Sequence, residues 1–269
     1  MMNGYQRPAT VVIANPSPLI EGGRYPAKRV VGERLSVEAD IFKDGHDVIR
    51  AEVSSRLVGA PAWTTTPLAH INNDRWGAEF HFGETGQYEL VIRAWSDDAG
   101  TWIHDFERRL TGDQSDFATE IEEGRVIFNQ MAIRAASARA PEDAEAIEQL
   151  TTRLMKTAPS DVPALMNEPA HLELISRWPD RSLATEIAEP LSLVVETKRS
   201  NFSAWYEFFP RSASGAMERH STFRDCLPRL DDAAAMGFDI VYFPPIHPIG
   251  ISHRKGKNNT LTASADDVG

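Results

Sequence analysis

Within the nine residues from Ile251 to Asn259, the run I-S-H-R-K-G-K-N-N collects His253, Arg254, Lys255 and Lys257 and then two amides, Asn258 and Asn259. A lysine ammonium is a compact positive charge with three donors, and an asparagine amide both donates and accepts. Such a set suits an anionic or polyhydroxylated ligand; it equally describes a solvated basic loop. Two further groups belong with it by position. Arg211 in F-F-P-R and His247 in P-P-I-H each stand just past an apolar run that ends in proline.

Those two apolar runs must be the elements that present the groups. Ala204–Phe209 and Asp239–Phe243 read as short strands with one helix between them. His220-Ser221-Thr222 precedes that helix, and Asp225, three residues after Thr222, makes a capping box with a shorter acid. Leu227, Leu230, Ala234 and Met236 supply an apolar stripe, and Gly237 stops the helix. An interior proline costs about 3 kcal/mol in a helix, so Thr222–Leu227 is expected as a short turn, with Pro228 opening the helix proper. Asp239–Phe243 is nearly all apolar, as a strand covered on both faces is. Strand, helix and strand in this order make a parallel βαβ unit. In barrels built from such units the residues just beyond the strand C-termini form the active-site rim. That logic puts Arg211, His247 and the 251–259 loop on one functional face. Nineteen residues separate Gly250 from Gly269, too few to complete a parallel sheet, so the chain is expected to be the front part of a longer enzyme.

Upstream the periodicity differs. From about Arg7 to Leu110, strand runs are broken by turn residues: Val11–Ile13, then Leu35–Ile41, Val48–Val58 and Trp76–Phe82, which alternate at period two, then Tyr88–Trp95 and Trp102–Leu110, the last expected to pair with Tyr88–Trp95 across a turn at Ser96–Gly100. About seven strands at this spacing suggest an immunoglobulin-like sandwich. Trp63, Trp76, Trp95 and Trp102 all fall in this region, either filling the core or displayed as sugar platforms. From Gln114 the pattern turns helical. Phe117, Ile121, Gly124, Phe128, Met131 and Ala135 form a narrow seam, and Pro141 with Glu142 and Asp143 starts a second helix. Ser160 and Asp161 open a shorter one, interrupted at Pro169, with Leu172–Trp178 beyond. The seam needs a partner, either the rest of this chain or a second copy in a dimer. Glu189–Glu196 returns to strand character. The expected domains are therefore a β-sandwich over 1–112, a helical insertion over 113–185, a returning strand over 186–199 and an incomplete catalytic barrel over 200–269.

With 28 Lys and Arg against 39 Asp and Glu, the chain carries a net charge of −11, which disfavours nucleic acid as a partner. Cys226 is the single cysteine and cannot form an intrachain disulfide. The N-terminus lacks an apolar signal region, and no stretch approaches about 18 apolar residues. A cytoplasmic protein without membrane association, cofactor or metal is expected.

Four segments together, F-S-A-W-Y-E-F-F-P-R-S, T-F-R-D-C, A-A-M-G-F-D-I-V-Y-F-P-P-I-H-P-I-G and H-R-K-G-K-N-N-T-L-T-A, resemble the maltosyltransferases of the α-amylase superfamily (the GlgE type). The resemblance is strong after Asn201 and loose before it. It implies an immunoglobulin-like β-sandwich with a helical insertion, followed by the start of a (β/α)8 barrel. The implied activity is transfer of maltosyl units from α-maltose 1-phosphate to the non-reducing end of an α-1,4-glucan, with release of phosphate and retention of configuration. In such retaining enzymes the paired carboxyl groups stand about 5–5.5 Å apart, and in the family they lie on later strands, beyond Gly269. Asp225, Asp231, Asp232 and Asp239 are therefore given no catalytic role, and this chain alone is expected to be inactive. Lys255 matches a family lysine that binds the donor maltosyl group, and Asn259 matches a residue lining the same pocket. Lys257 stands where the family accepts Arg or Lys, as electrostatic support, and His247 fits either the pocket floor or a structural role after the Pro-Pro turn. A homodimer is expected. The other readings are a stand-alone α-glucan-binding or scaffolding module without catalysis, and another amylase-type hydrolase or isomerase.

Overall fold

Alternating apolar side chains need a surface to bury them, and in this protein two sheets bury them against each other. The computed structural model describes residues 11–267 except 113, 217–218 and 248–249. The expected strand start at 7–10, Pro248 and Ile249 of the proline-rich run, and Gly269 lie outside the described residues. The chain divides into two compact units, residues up to Glu196 and residues from Thr197 onward.

The first unit opens with eight strands: β1 (Val11–Ser17), β2 (Ala27–Val30), β3 (Arg34–Lys43), β4 (Ile49–Leu57), β5 (Thr64–Pro67), β6 (Ala69–Asn72), β7 (Arg75–His81) and β8 (Gly86–Ser96). Five helices follow: α1 (Asp98–Leu110), α2 (Ala118–Ser137), α3 (Pro141–Leu154), α4 (Val162–Met166) and α5 (Pro169–Arg177). Two strands, β9 (Thr185–Glu186) and β10 (Leu191–Glu196), close the unit. One sheet has the order β1-β3-β7-β6; the other runs β2-β10-β8-β4-β5, with β9 beside β8. Leu35, Val37, Ala39 and Ile41 on β3 and Leu90, Ile92 and Ala94 on β8 alternate inward and meet in one apolar cluster drawn from both sheets. Each fully buried Leu or Ile contributes about 1.5–3 kcal/mol relative to exposure. The returning strand read at Glu189–Glu196 is β10, parallel to β2 and antiparallel to β8.

The expected strand at Trp102–Leu110 is instead the body of α1. Asp97 caps it, its carboxylate accepting from the Gly100 N–H at 3.0 Å and from Arg50 Nε at 2.9 Å. Ala99, Trp102 and Phe106 are buried at spacings of three and four residues, and Arg108 and Arg109 sit in the last turn, where cations favour the helix dipole. Helical structure thus begins at Asp98 rather than near residue 113.

The seam on α2 finds its partner within the same unit. Gly124, Phe128, Met131 and Ala135 are buried, in a cluster with Trp102 and Phe106 of α1 and with Ile147, Leu150 and Leu154 of α3. At Gly124 the approach is so close that a Cβ would stand 2.4 Å from the Trp102 ring, while the Trp102 indole donates to the Glu120 carbonyl at 2.7 Å. With the seam filled from inside the chain, it no longer argues for a second copy.

The second unit contains β11 (Trp205–Glu207), α6 (Leu227–Ala235) and β12 (Ile240–Tyr242). The two strands pair in parallel, Tyr206 opposite Val241, so the strand–helix–strand reading holds. A 3-10 turn at Phe223–Cys226 precedes α6, whose first turn carries Pro228; the proline lacks an N–H where the helix has no use for one. Gly237 at φ +84° ends the helix. Burial on both faces, expected for Asp239–Phe243, does not occur: Ile240 and Val241 are half-buried and Tyr242 is exposed. Among the described residues, no helix is long and apolar enough to cross a membrane.

Candidate functional site

A parallel pair presents both of its carboxyl ends on the same side, which is where open α/β structures bind ligands. Here those ends carry Phe209–Ser212 after β11 and Pro244–His247 after β12, and both line one cavity of about 600 Å³ together with His220–Phe223 before α6. That volume is within the range of small-molecule sites, about 300–1,000 Å³.

Backbone bonds hold the rim. The Ser221 N–H donates to the Arg211 carbonyl at 2.9 Å, and Ser214 and Ser221 hydroxyls lie 2.7 Å apart. Thr222 N–H and hydroxyl both donate to the Asp225 carboxylate, at 2.7 and 2.9 Å. Arg219 grips the same carboxylate through both terminal nitrogens, at 2.9 and 3.1 Å. These donors, the Arg219 guanidinium foremost, hold the Asp225 carboxyl far below the usual carboxylate range. Asp225 is thereby committed to the cap, and Arg219 is neutralised. Arg211 has no carboxylate partner among the described residues, so it lends the cavity its positive charge. Asp239 works at the opposite end of the strands, accepting from the Ala204 N–H at 3.0 Å and facing Arg199 at 3.6 Å. A metal site is not formed by any cluster of described residues.

The cationic loop is built separately. Asp267 organises it: its carboxylate accepts from the Ser264 N–H at 2.6 Å and the Lys257 N–H at 3.2 Å, and its backbone carbonyl accepts from the Arg254 guanidinium. The Ser264 N–H above all keeps this carboxyl below its ordinary value. Gly256 lies where a Cβ would stand 2.4 Å from both Thr260 Oγ1 and the Thr262 carbonyl, which accounts for the glycine in R-K-G-K. Asn258 and Asn259 adopt φ of +54° and +62°, the left-handed region that asparagine tolerates better than most residues. Lys255, Lys257 and Asn259 all point to solvent-exposed positions.

Of the residues singled out in the sequence, Arg211 and His247 share the cavity, while Lys255, Lys257 and Asn259 are absent from its described lining. His220 and Thr222 also line it, although the sequence marks that stretch only as a helix cap. Their place in a strand-to-helix loop was the available signal. A larger cavity of about 770 Å³ lies in the first unit between α1 and α2. Asp47, Asp98, Asp105, Glu122 and Glu123 on its walls make it unsuitable for an anion.

Residues 9–197 match the family described as alpha-1,4-glucan:maltose-1-phosphate maltosyltransferase, domain N/S. The chain is 41% identical over 268 residues to the Alpha-1,4-glucan:maltose-1-phosphate maltosyltransferase of Myxococcus xanthus, covering 98% of this chain and 40% of that protein. It is 43% identical over 261 residues to the protein of the same description from Chlorobaculum tepidum, covering 96% and 38%. With Alpha-1,4-glucan:maltose-1-phosphate maltosyltransferase 1 of Streptomyces coelicolor the identity is 39% over 255 residues, covering 94% and 37%. The chain spans about two fifths of the length of these curated relatives.

Proposed function

The chain belongs to the α-1,4-glucan:maltose-1-phosphate maltosyltransferase family, and from that premise we propose that it forms the N-terminal part of an enzyme moving maltosyl units from α-maltose 1-phosphate to the non-reducing ends of α-1,4-glucans. In this reading the first unit is an immunoglobulin-like sandwich carrying a helical insertion, and β11-α6-β12 begins a (β/α)8 barrel. The parallel register of Tyr206 with Val241, with both strand ends opening on one cavity, is the observation that supports it most.

The chemistry is a double displacement with retention. A carboxylate nucleophile displaces phosphate and holds the maltosyl group covalently; a second carboxyl group protonates the departing oxygen and then deprotonates the acceptor hydroxyl. Those carboxylates belong to later barrel strands. The part assigned to this chain is binding: Lys255 and Asn259 hold donor sugar hydroxyls, Lys257 adds positive charge, and His247 lines the floor. The exposure of Lys255 favours an ammonium ready for a ligand. Buried, unpaired Cys226 accords with a reducing, cytoplasmic setting.

Incubating the enzyme that carries this chain with α-maltose 1-phosphate and maltohexaose should release phosphate and lengthen the glucan by two glucose units. Absence of phosphate release refutes the assignment. In that enzyme Lys255→Ala should weaken donor use by about 1.5–3 kcal/mol, the worth of a hydrogen bond to a charged group; an unchanged donor dependence would remove Lys255 from the site.

A further inference from the structure

We propose that the outward face of the six-stranded sheet in the first unit is a second, non-catalytic glucan site. The ligand class rests on the transferase reading; the site itself rests on the groove.

Alternation sends Arg50, Glu52, Ser54 and Arg56 of β4 to the side opposite the core, where the register sets Glu52 beside Arg93, Arg93 beside Glu186 and Ser54 beside Thr65. Two cavities, of about 270 and about 360 Å³, adjoin along this face and share Glu52 and Thr65 as common walls. From Arg50 to Arg56 the strand covers about 20 Å, room for several sugar rings rather than one.

The charges on this face cancel locally. Arg181 pairs with Glu52 at 2.9 Å, Arg93 with Glu186 at 2.6 Å and Arg50 with Asp97 at 2.9 Å. Three guanidinium groups thus meet three carboxylates in a chain whose net charge is −11. Carboxylates on every side reject a phosphate, and arginines reject a cation. What remains favoured is a neutral ligand rich in hydroxyls, because planar paired groups offer both donors and acceptors already fixed in place. The Ser54 and Thr65 hydroxyls, 2.9 Å apart, add to that set.

An exposed aromatic plane stands at the Arg56 end only. Trp63 is 39% exposed. The Arg56 guanidinium lies 4.2 Å from its ring centroid and is itself bound to Glu89 at 2.5 Å, so the indole is held rather than free to turn. A fixed, partly exposed indole offers an apolar surface to the C–H side of a pyranose at little entropic cost. At the other end Trp95 is nearly buried beneath Arg181, and its indole N–H has no acceptor among the described residues.

Isothermal titration of the 269-residue chain with maltoheptaose tests the proposal. Saturable binding is expected, little changed by raising the salt because the ligand is neutral. Trp63→Ala should weaken it by about tenfold, the upper worth of one aromatic contact. Thr65→Lys, at an exposed position, should do the same by filling the groove while leaving the indole in place. Lys255→Ala should leave this binding as it was. No heat with maltoheptaose, equal binding by the Trp63→Ala and Thr65→Lys chains, or equal binding of cellohexaose would overturn the site. Loss of binding in Lys255→Ala alone would also overturn it, while leaving the transferase reading intact. Phosphate release by the enzyme tests that reading separately.

Discussion

The two units handle their apolar side chains in opposite ways. In the first, Leu35, Val37, Ile92, Phe128, Ile147 and Leu154 have essentially no accessible surface. In the second, Phe202, Phe209, Ile251 and Leu261 are 82%, 63%, 95% and 82% exposed, and Trp205 and Tyr242 on the paired strands are exposed as well. Apolar residues stand in the strands of both units, so the difference lies in what covers them. The first unit has two sheets and five helices to close on one another. Among the described residues the second has one α-helix for a two-stranded parallel ribbon, and parallel sheets occur almost only with both faces covered. Core positions in the two units should therefore respond very differently to truncation.

The largest expected effect is at Phe128, where Phe128→Ala should cost about 3–5 kcal/mol in denaturant unfolding of the first unit. A cost below 1 kcal/mol would mean that the α1–α2–α3 cluster is not a close-packed core. Next comes Gly124→Ala. The added methyl would press on Trp102, and overpacking of this kind costs about 1–3 kcal/mol, reduced by the better helix propensity of alanine, about 1 kcal/mol. A stabilised variant would show that Trp102 can yield.

A smaller effect belongs to Asp225 in the second unit. Its carboxyl is held below its ordinary 3.8 in the folded state. The stabilisation is thus fully present above pH 3.8 and is lost as the pH falls through the lower folded value. NMR titration should place the Asp225 midpoint well under 3.8, and a midpoint at or above that value would dissolve the Arg219–Thr222 clamp. Smallest of all, Trp205→Ala should change stability by no more than about 0.5 kcal/mol, as for an ordinary surface position. A cost near that of Phe128→Ala would abolish the contrast between the units.

Legibility in the sequence followed the strength of the local signal. Strict alternation at Leu35–Ile41 identified β3, the strand run Tyr88–Trp95 identified β8, and Pro141 with its acidic neighbours identified the start of α3. At Trp102–Leu110 the apolar positions 102, 103, 106 and 110 were helical all along. Trp102, His104 and Phe106 also alternate at period two, which imitates a strand, while the Asp97 cap that starts the helix leaves no periodic mark. Short edge strands such as Thr64–Pro67 and Ala69–Asn72 carry too few alternating residues to be seen before their neighbours are known. In the candidate site, Arg211 and His247 were legible because each follows a strand. The link between Asp267 and the R-K-G-K loop was not, since a carboxylate ten residues away gives no pattern in a linear text. The pair Asn258-Asn259 shows the converse: both residues answer a demand of the backbone turn before any ligand is considered.

The place of β10 has a consequence for how the protein is made. Leu191–Glu196 lies between β2 and β8, one strand in from the edge of its sheet, so the residues it pairs with leave the ribosome more than a hundred residues earlier. Until it arrives, two inner edges stand open, each with a row of unmet amides able to recruit a neighbouring nascent chain. Threading that last piece between them closes a long loop in one step, and such distant pairings are slow to form. The helices that come out in the interval can pack on one another at once, which makes them the natural early scaffold on which the sheet is finished.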